Sequence, residues 1–177
     1  MGTDIHGLIE CRAWAPGLDA GETSWHAAID LTMLGMVTRD YEAFACLFGV
    51  RNYSGLWRPV VADRGLPPDA STTTRAELSS WGAAAFGTTW PTWTEISAID
   101  WNEPATPGAT RIARYHRAPD GTLHLTDPAV WPRAVARASG INTLTTDPSS
   151  IPDLCPEGTL AEVHGTENVR LVVWFDE

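Results

Sequence analysis

The opening segment MGTDIHGLIECRAW places a carboxylate, Asp4, and an imidazole, His6, two residues apart at the head of an apolar run. In an extended strand, residues i and i+2 project from the same face. Two kinds of chemistry suit such a pair. The carboxylate can orient the imidazole as a general base or acid. Alternatively, both can ligate a metal, which needs three or four ligands in all. The ordinary structural alternative is a solvent-facing strand edge, or an Asp that caps a local turn. Asp176, at the end of the last apolar run, joins the same end of a sheet if the two terminal strands pair. That would gather two carboxylates and an imidazole. The remaining histidines, His26, His116, His124 and His164, show no H-x-H or H-x-x-x-H spacing. His116 and His124 fall on opposite arms of an expected hairpin.

A second set of residues is suited to holding a ligand. Arg39, Arg51, Arg58 and Arg64 cluster around one amphipathic segment and the loop after it. Guanidinium groups grip carboxylates and phosphates bidentately. Arg51 and Arg64, with Arg39 and Asn52 beside them, are the candidates for substrate binding. Salt bridging at helix ends and loops is their commoner use, and Arg51 follows a helix C-terminus, where a cation is favoured anyway. Trp81, Trp90, Trp93 and Trp101 fall within one short stretch. They suit an aromatic wall for a flat substrate, with Trp90 the first candidate, or simply a core. Glu77 and Glu95 each follow a Thr by three residues, so helix capping accounts for them. No nucleophile elbow, phosphate loop or dinucleotide fingerprint occurs, and no organic cofactor is expected.

These residues need a scaffold, and the composition allows one. The chain has 177 residues, 44% hydrophobic and 19% charged, which predicts one domain over 1–177 with a sizeable core. The formal net charge is −10, and all 12 basic residues are Arg. An acidic balance without a basic run argues against nucleic acid as a partner. Cys11, Cys46 and Cys155 match no zinc or redox spacing, and Cys11 and Cys46 read as core thiols. The polar N-terminus carries no secretory signal, and no stretch of about 18 apolar residues suggests a membrane span. A cytoplasmic protein is expected.

The patterning orders the elements. Residues 4–14 read as a strand, 16–23 as a turn and 24–31 as a second strand, making an N-terminal hairpin. Residues 38–50, TRDYEAFACLFGV, read as a helix with Gly49 at its C′ position. A long loop spans 51–70. Residues 73–82 and 90–101 read as helices opened by Thr74–Glu77 and Thr92–Glu95 capping boxes. Residues 111–127 form a hairpin around Pro119-Asp120-Gly121, 128–140 a short helix and 141–158 a loop. Residues 159–177 read as a final hairpin whose last arm, VRLVVWF, is apolar enough for a central strand covered on both faces. The sum is an α+β fold: a mainly antiparallel sheet that includes the N- and C-terminal strands, with helices packed on one face.

Several stretches together resemble a family of small proteins from bacteriophage and actinobacterial genomes that open Met-Gly-Cys-Asp-Ile-His. They are MGTDIH at 1–6, RDYEAFACLFGVRN at 39–52, RGLPPDAS at 64–71, the WTEI helix and VRLVVWFDE at 169–177. The resemblance spans most of the chain and brings no activity with it. Two departures stand out. Thr3 replaces the usual Cys, and Phe86-Gly87-Thr88-Thr89-Trp90 stands where members carry Gly-His-Ser-His-Ser-Trp. If those histidines help the Asp-x-His pair bind a metal, this chain has lost half the ligands.

The expectation is therefore a small enzyme acting by acid/base catalysis on a compact anionic or aromatic metabolite. Asp4 orients His6, Asp176 completes the catalytic set, and Arg39, Arg51, Asn52, Arg64 and Trp90 bind substrate. Proton transfer, cyclisation or hydrolysis all fit. Two other classes compete: a phage-derived binding protein for a nucleotide-like ligand or a host protein, and a metal-dependent hydrolase built on Asp4 and His6.

Overall fold

The computed structural model describes residues 2–12, 24–34, 41–105, 114–117, 119–126 and 156–177. At its centre β1 (Asp4–Cys11) and β6 (Val169–Asp176) pair antiparallel from Asp4↔Asp176 to Cys11↔Val169. β2 (His26–Asp30) flanks β1 and β3 (Phe86–Thr89) flanks β6, giving the order β2-β1-β6-β3. The sheet is antiparallel and contains both terminal strands, as the patterning predicts. β6 lies inside it, and Val169 through Phe175 are all buried. β4 (Arg114–Arg117) and β5 (Leu123–Thr126) form the expected separate hairpin, with His116 opposite His124.

Alternation divides the sheet into two unlike faces. Ile5, Ile9, Val169, Leu171, Val173 and Phe175 point into the main core. A helical turn, α1 (Tyr41–Ala43), runs straight into a wider π-helical turn, Phe44–Phe48, whose five residues are all buried. Gly49 closes it in the left-handed conformation (φ 76°), its N–H and that of Val50 donating back to Ala45 and Phe44. α3 (Trp93–Ser97) adds Trp93 and Ile96 to the same core. Its N-terminus is the expected capping box: Thr92 Oγ1 accepts from Glu95 N, and Glu95 Oε2 accepts from Thr92 N at 2.9 Å.

The other face carries Asp4, His6, Leu8 and Glu10 on β1, and Arg170, Val172, Trp174 and Asp176 on β6. α2 (Thr72–Trp81) lies across it. Its cap differs from the expected Thr74–Glu77 box. Ser71 is the N-cap, and its hydroxyl accepts from Thr74 N at 3.1 Å. The carboxylate that receives the N-cap N–H comes from across the sheet, with Ser71 N donating to Glu10 Oε1 at 2.8 Å. Glu10 does from β1 what a Glu three residues into a helix does locally, which leaves Glu77 without a capping task.

Two other expectations meet the structure differently. Residues 159–164 are not a strand but the end of α4 (Pro156–His164). Pro156 suits a first helical position and Gly165 (φ 90°) suits the exit. β6 already has β1 and β3 on its two sides, so it takes no hairpin partner. The helix expected over 90–101 is confined to α3. The long loop, 51–70, is stapled by backbone bonds from Val60 to Cys46, Val61 to Leu47 and Gly65 to Thr88. Arg39, Cys155, the turn at 13–23 and the short helix expected at 128–140 lie outside the described residues. No helix among the described residues is long and apolar enough to cross a membrane.

Candidate active site

β1 and β6 meet at their ends with Asp4 opposite Asp176 and His6 opposite Trp174. His6 and Asp176 share the polar face, and His6 Nε2 lies 3.1 Å from Asp176 Oδ1. Both remain reachable by solvent, at 18% and 25% side-chain exposure. With Nε2 engaged by the carboxylate, Nδ1 is left to exchange a proton with a ligand. Asp176 is thus the carboxylate that holds the imidazole, and Asp4 sits across the strand pair from it.

α2 supplies two further groups, one offered by the sequence as part of an aromatic wall and one discounted there as a helix cap. Trp81, its last residue, stacks on His6 with ring centroids 4.1 Å apart and planes tilted by 35°. Glu77, one turn earlier, faces the same site. Burial and repulsion from Asp30 push its carboxyl above the ordinary value, and His6 opposes that shift. The spacing of Glu77 and Trp81 did carry a signal, because i and i+4 lie on one helix face. What hid it was the capping role assigned to Glu77. Trp174 is fully buried, and its indole Nε1 has no hydrogen-bond partner among the described residues.

Arg51 and Arg64 are committed to the protein itself. Arg51 holds a positive φ of 58°, uncommon for a residue with a Cβ. Its guanidinium donates to Thr3 Oγ1 at 2.6 Å and Tyr53 Oη at 2.7 Å and pairs with Glu177 at 2.6 Å. Arg51 thereby stands at the same end of the sheet as His6 and Asp176, tying down both chain ends. Asn52 bonds the backbone N–H and C=O of Trp57 with its amide. Arg64 grips Glu95 through both nitrogens, at 3.0 and 2.6 Å, and donates to Trp90 O.

Trp90 and Arg64 belong to a different place. Trp90 lies between Arg64 and Arg170, whose guanidinium carbons are 5.3 and 5.6 Å from its ring centroid. Arg170 is six residues along β6 from Asp176, a distance of about 20 Å in a strand. There it meets Glu10 at 2.8 Å, Asp69 at 2.7 Å and the face of Trp25 at 3.8 Å. The four tryptophans of 81–101 part accordingly. Trp81 goes to His6 and Trp90 to this arginine stack, while Trp93 and Trp101 pack with the core.

Among the described residues, no three His, Cys, Asp or Glu side chains are placed to share a metal ion. Fold and site together define an α+β protein with a His–Asp pair at one end of an antiparallel sheet. Comparison with known protein families, with curated proteins and with solved structures gave no match.

Proposed function

We propose that this chain is a small enzyme that moves protons on a compact organic substrate, with His6 as the general acid/base and Asp176 as its orienting carboxylate. The observation that carries the reading is the 3.1 Å His6–Asp176 contact on an accessible sheet end, capped by the Trp81 ring. A carboxylate on one imidazole nitrogen fixes the tautomer and leaves the other nitrogen for chemistry. Trp81 offers a flat apolar surface for an unsaturated or aromatic substrate. Glu77, whose carboxyl burial and Asp30 push above its ordinary value, is a second titratable group close to the imidazole. Such chemistry needs no organic cofactor. A cytoplasmic setting, argued from the sequence, is part of the same proposal.

The substrate's charge is revised by the surroundings. Asp4, Asp30, Glu77 and Asp176 lie on this side of the sheet with His6, and Arg51, at the same end, is paired with Glu177. A field of carboxylates repels an anion. A neutral, polarised substrate fits better than the anionic one first expected.

Deuterium exchange tests the reading. The protein is incubated in D2O with simple ketones, lactams and aromatic amides, and label uptake at carbon is followed by NMR. Uptake that depends on wild-type protein and falls about 10²-fold or more in His6→Gln is the expected result. Uptake unchanged in His6→Gln and Asp176→Asn would sink the proposal. A compound that binds without exchange, with equal affinity in His6→Gln, would instead support a binding protein.

A further inference from the structure

The polar face holds one group that the acid/base pair does not use. Trp174 is the cross-strand partner of His6, and the two project from the same face. Opposed residues on one face of an antiparallel pair have Cβ atoms about 5 Å apart. Asp176, two residues further along β6, is its neighbour on that face. The indole is wholly buried and its Nε1–H is unpartnered among the described residues. Buried donors are nearly always paired, and leaving one unpaired is destabilising. On the same face Glu10 is matched with Ser71, Thr74 and Arg170, and His6 with Asp176. Among the described residues the other unpartnered buried side-chain atom is Thr89 Oγ1 on β3, whereas Trp174 stands on β6 beside the His6–Asp176 pair.

α2 spans this face from Glu10 to His6. Thr74 is the only residue of α2 that is fully buried, and it sits at the Glu10 end. At the other end α2 rests on His6 through the Trp81 ring, and the chain then turns at Gly82 with φ 54°. Because the Trp174 indole is wholly buried, a ligand reaches its Nε1 only once the side chains around it move.

We propose that the Trp174 indole N–H is the acceptor-binding subsite of the His6–Asp176 centre and takes the neutral carbonyl oxygen of the substrate. This deepens the acid/base reading and rests on it for the word substrate. The donor would hold a carbonyl, and would favour the charge that grows on its oxygen as His6 removes a neighbouring proton. An indole carries no net charge. It suits a neutral amide, lactam or ketone in a carboxylate-lined site, whereas a carboxylate ligand would require a cation there.

The test uses full-length protein with 15N-labelled tryptophan. The Trp174 indole signal is assigned by its loss in Trp174→Phe. Benzamide is the probe and benzoate its charged counterpart. The expected result is a saturable shift of the Trp174 signal with benzamide, at least tenfold weaker with benzoate. Trp174→Phe should bind benzamide about five- to tenfold more weakly, the effect of one neutral hydrogen bond. If Trp174→Phe fails to fold, the same signal is assigned by elimination, substituting the other tryptophans in turn. A signal that stays fixed at saturating benzamide, or that shows only contact with bound water, overturns the proposal. Tighter binding of benzoate overturns it as well. His6→Gln separates the two claims: a benzamide shift retained there upholds the subsite even where proton exchange is lost or was never present.

Discussion

Removing the Arg170 side chain is the sharpest test of how this fold holds itself together. Arg170 is 3% exposed and Glu10 is 0% exposed, so both charges are out of water. Glu10 Oε2 receives Arg170 Nε at 2.8 Å, while Oε1 receives Ser71 N at 2.8 Å and Thr74 Oγ1 at 2.5 Å. Arg170→Ala leaves the Glu10 carboxylate with the two Oε1 donors and no opposing charge. Breaking a buried ion pair from one side costs about 3–5 kcal/mol. The same truncation removes the guanidinium from the face of Trp25 and from Asp69, so the upper half of that range is expected. At about 2–4 °C per kcal/mol for a domain of this size, Tm should fall by about 8–20 °C. Urea unfolding at pH 7 measures it, with the slope m unchanged if the folded state stays compact.

The pH profile adds a second reading of the same perturbation. Burial pushes the Glu10 carboxyl up, but the hydrogen bonds from Thr74, Ser71 and Arg170 outweigh it and hold the group below the ordinary value of 4.5. Its contribution is therefore present above about pH 4.5 and is lost as pH falls through the lower folded value. In Arg170→Ala that acid-side loss should shrink, because part of what keeps Glu10 ionised is gone. A cost below 1 kcal/mol at pH 7 with an unchanged acid limb would refute the reasoning. A double replacement, Glu10→Leu with Arg170→Met, should recover much of the single-site loss, since an apolar pair has no charge to strand.

Two further substitutions probe the frame around the candidate site. A Cβ on Gly7 would sit 2.2 Å from the Val172 carbonyl oxygen, which is backbone and cannot turn aside. Gly7→Ala should therefore cost about 1–3 kcal/mol or more by thermal unfolding and slacken the β1–β6 register that brings His6 to Asp176. Thr92→Ala should cost about 1 kcal/mol by urea unfolding through loss of the α3 cap. Glu95→Ala should cost more than Thr92→Ala, because Glu95 also anchors Arg64 and hence the long loop.

Much of the frame was legible because it is written in strand periodicity. The alternation of residues 4–11 and the apolar run at 169–175 point to two central strands. Pairing them antiparallel puts Asp176 beside the Asp4–His6 end without further information. The loop residues are where reading fails. Arg51, Asn52 and Arg64 look like free ligands in sequence because loop spacing does not say which internal group each will meet. In the fold they meet Glu177, Trp57 and Glu95. α4 was missed because its visible stretch, LAEVH, is too short for its period to declare itself.

The Glu10–Arg170 pair shows that a signal can be present and still go unread. Glu10 lies inside an apolar run, and Arg170 is the single charge within VRLVVWF. A charge in a strand covered on both faces must find an opposite charge or lose its own. Two such charges, of opposite sign, in the two strands whose pairing would bring Asp176 to His6, are each other's natural partners. That inference sets the register. With Glu10 opposite Arg170, an antiparallel ladder forces His6 opposite Trp174 and Asp4 opposite Asp176, as observed. The buried pair at one end of β1 and β6 thus specifies which groups meet at the other end. Because a slip of one residue would turn His6 away from Asp176 and strand both charges at once, the ion pair that steadies the fold also fixes the geometry of the candidate site.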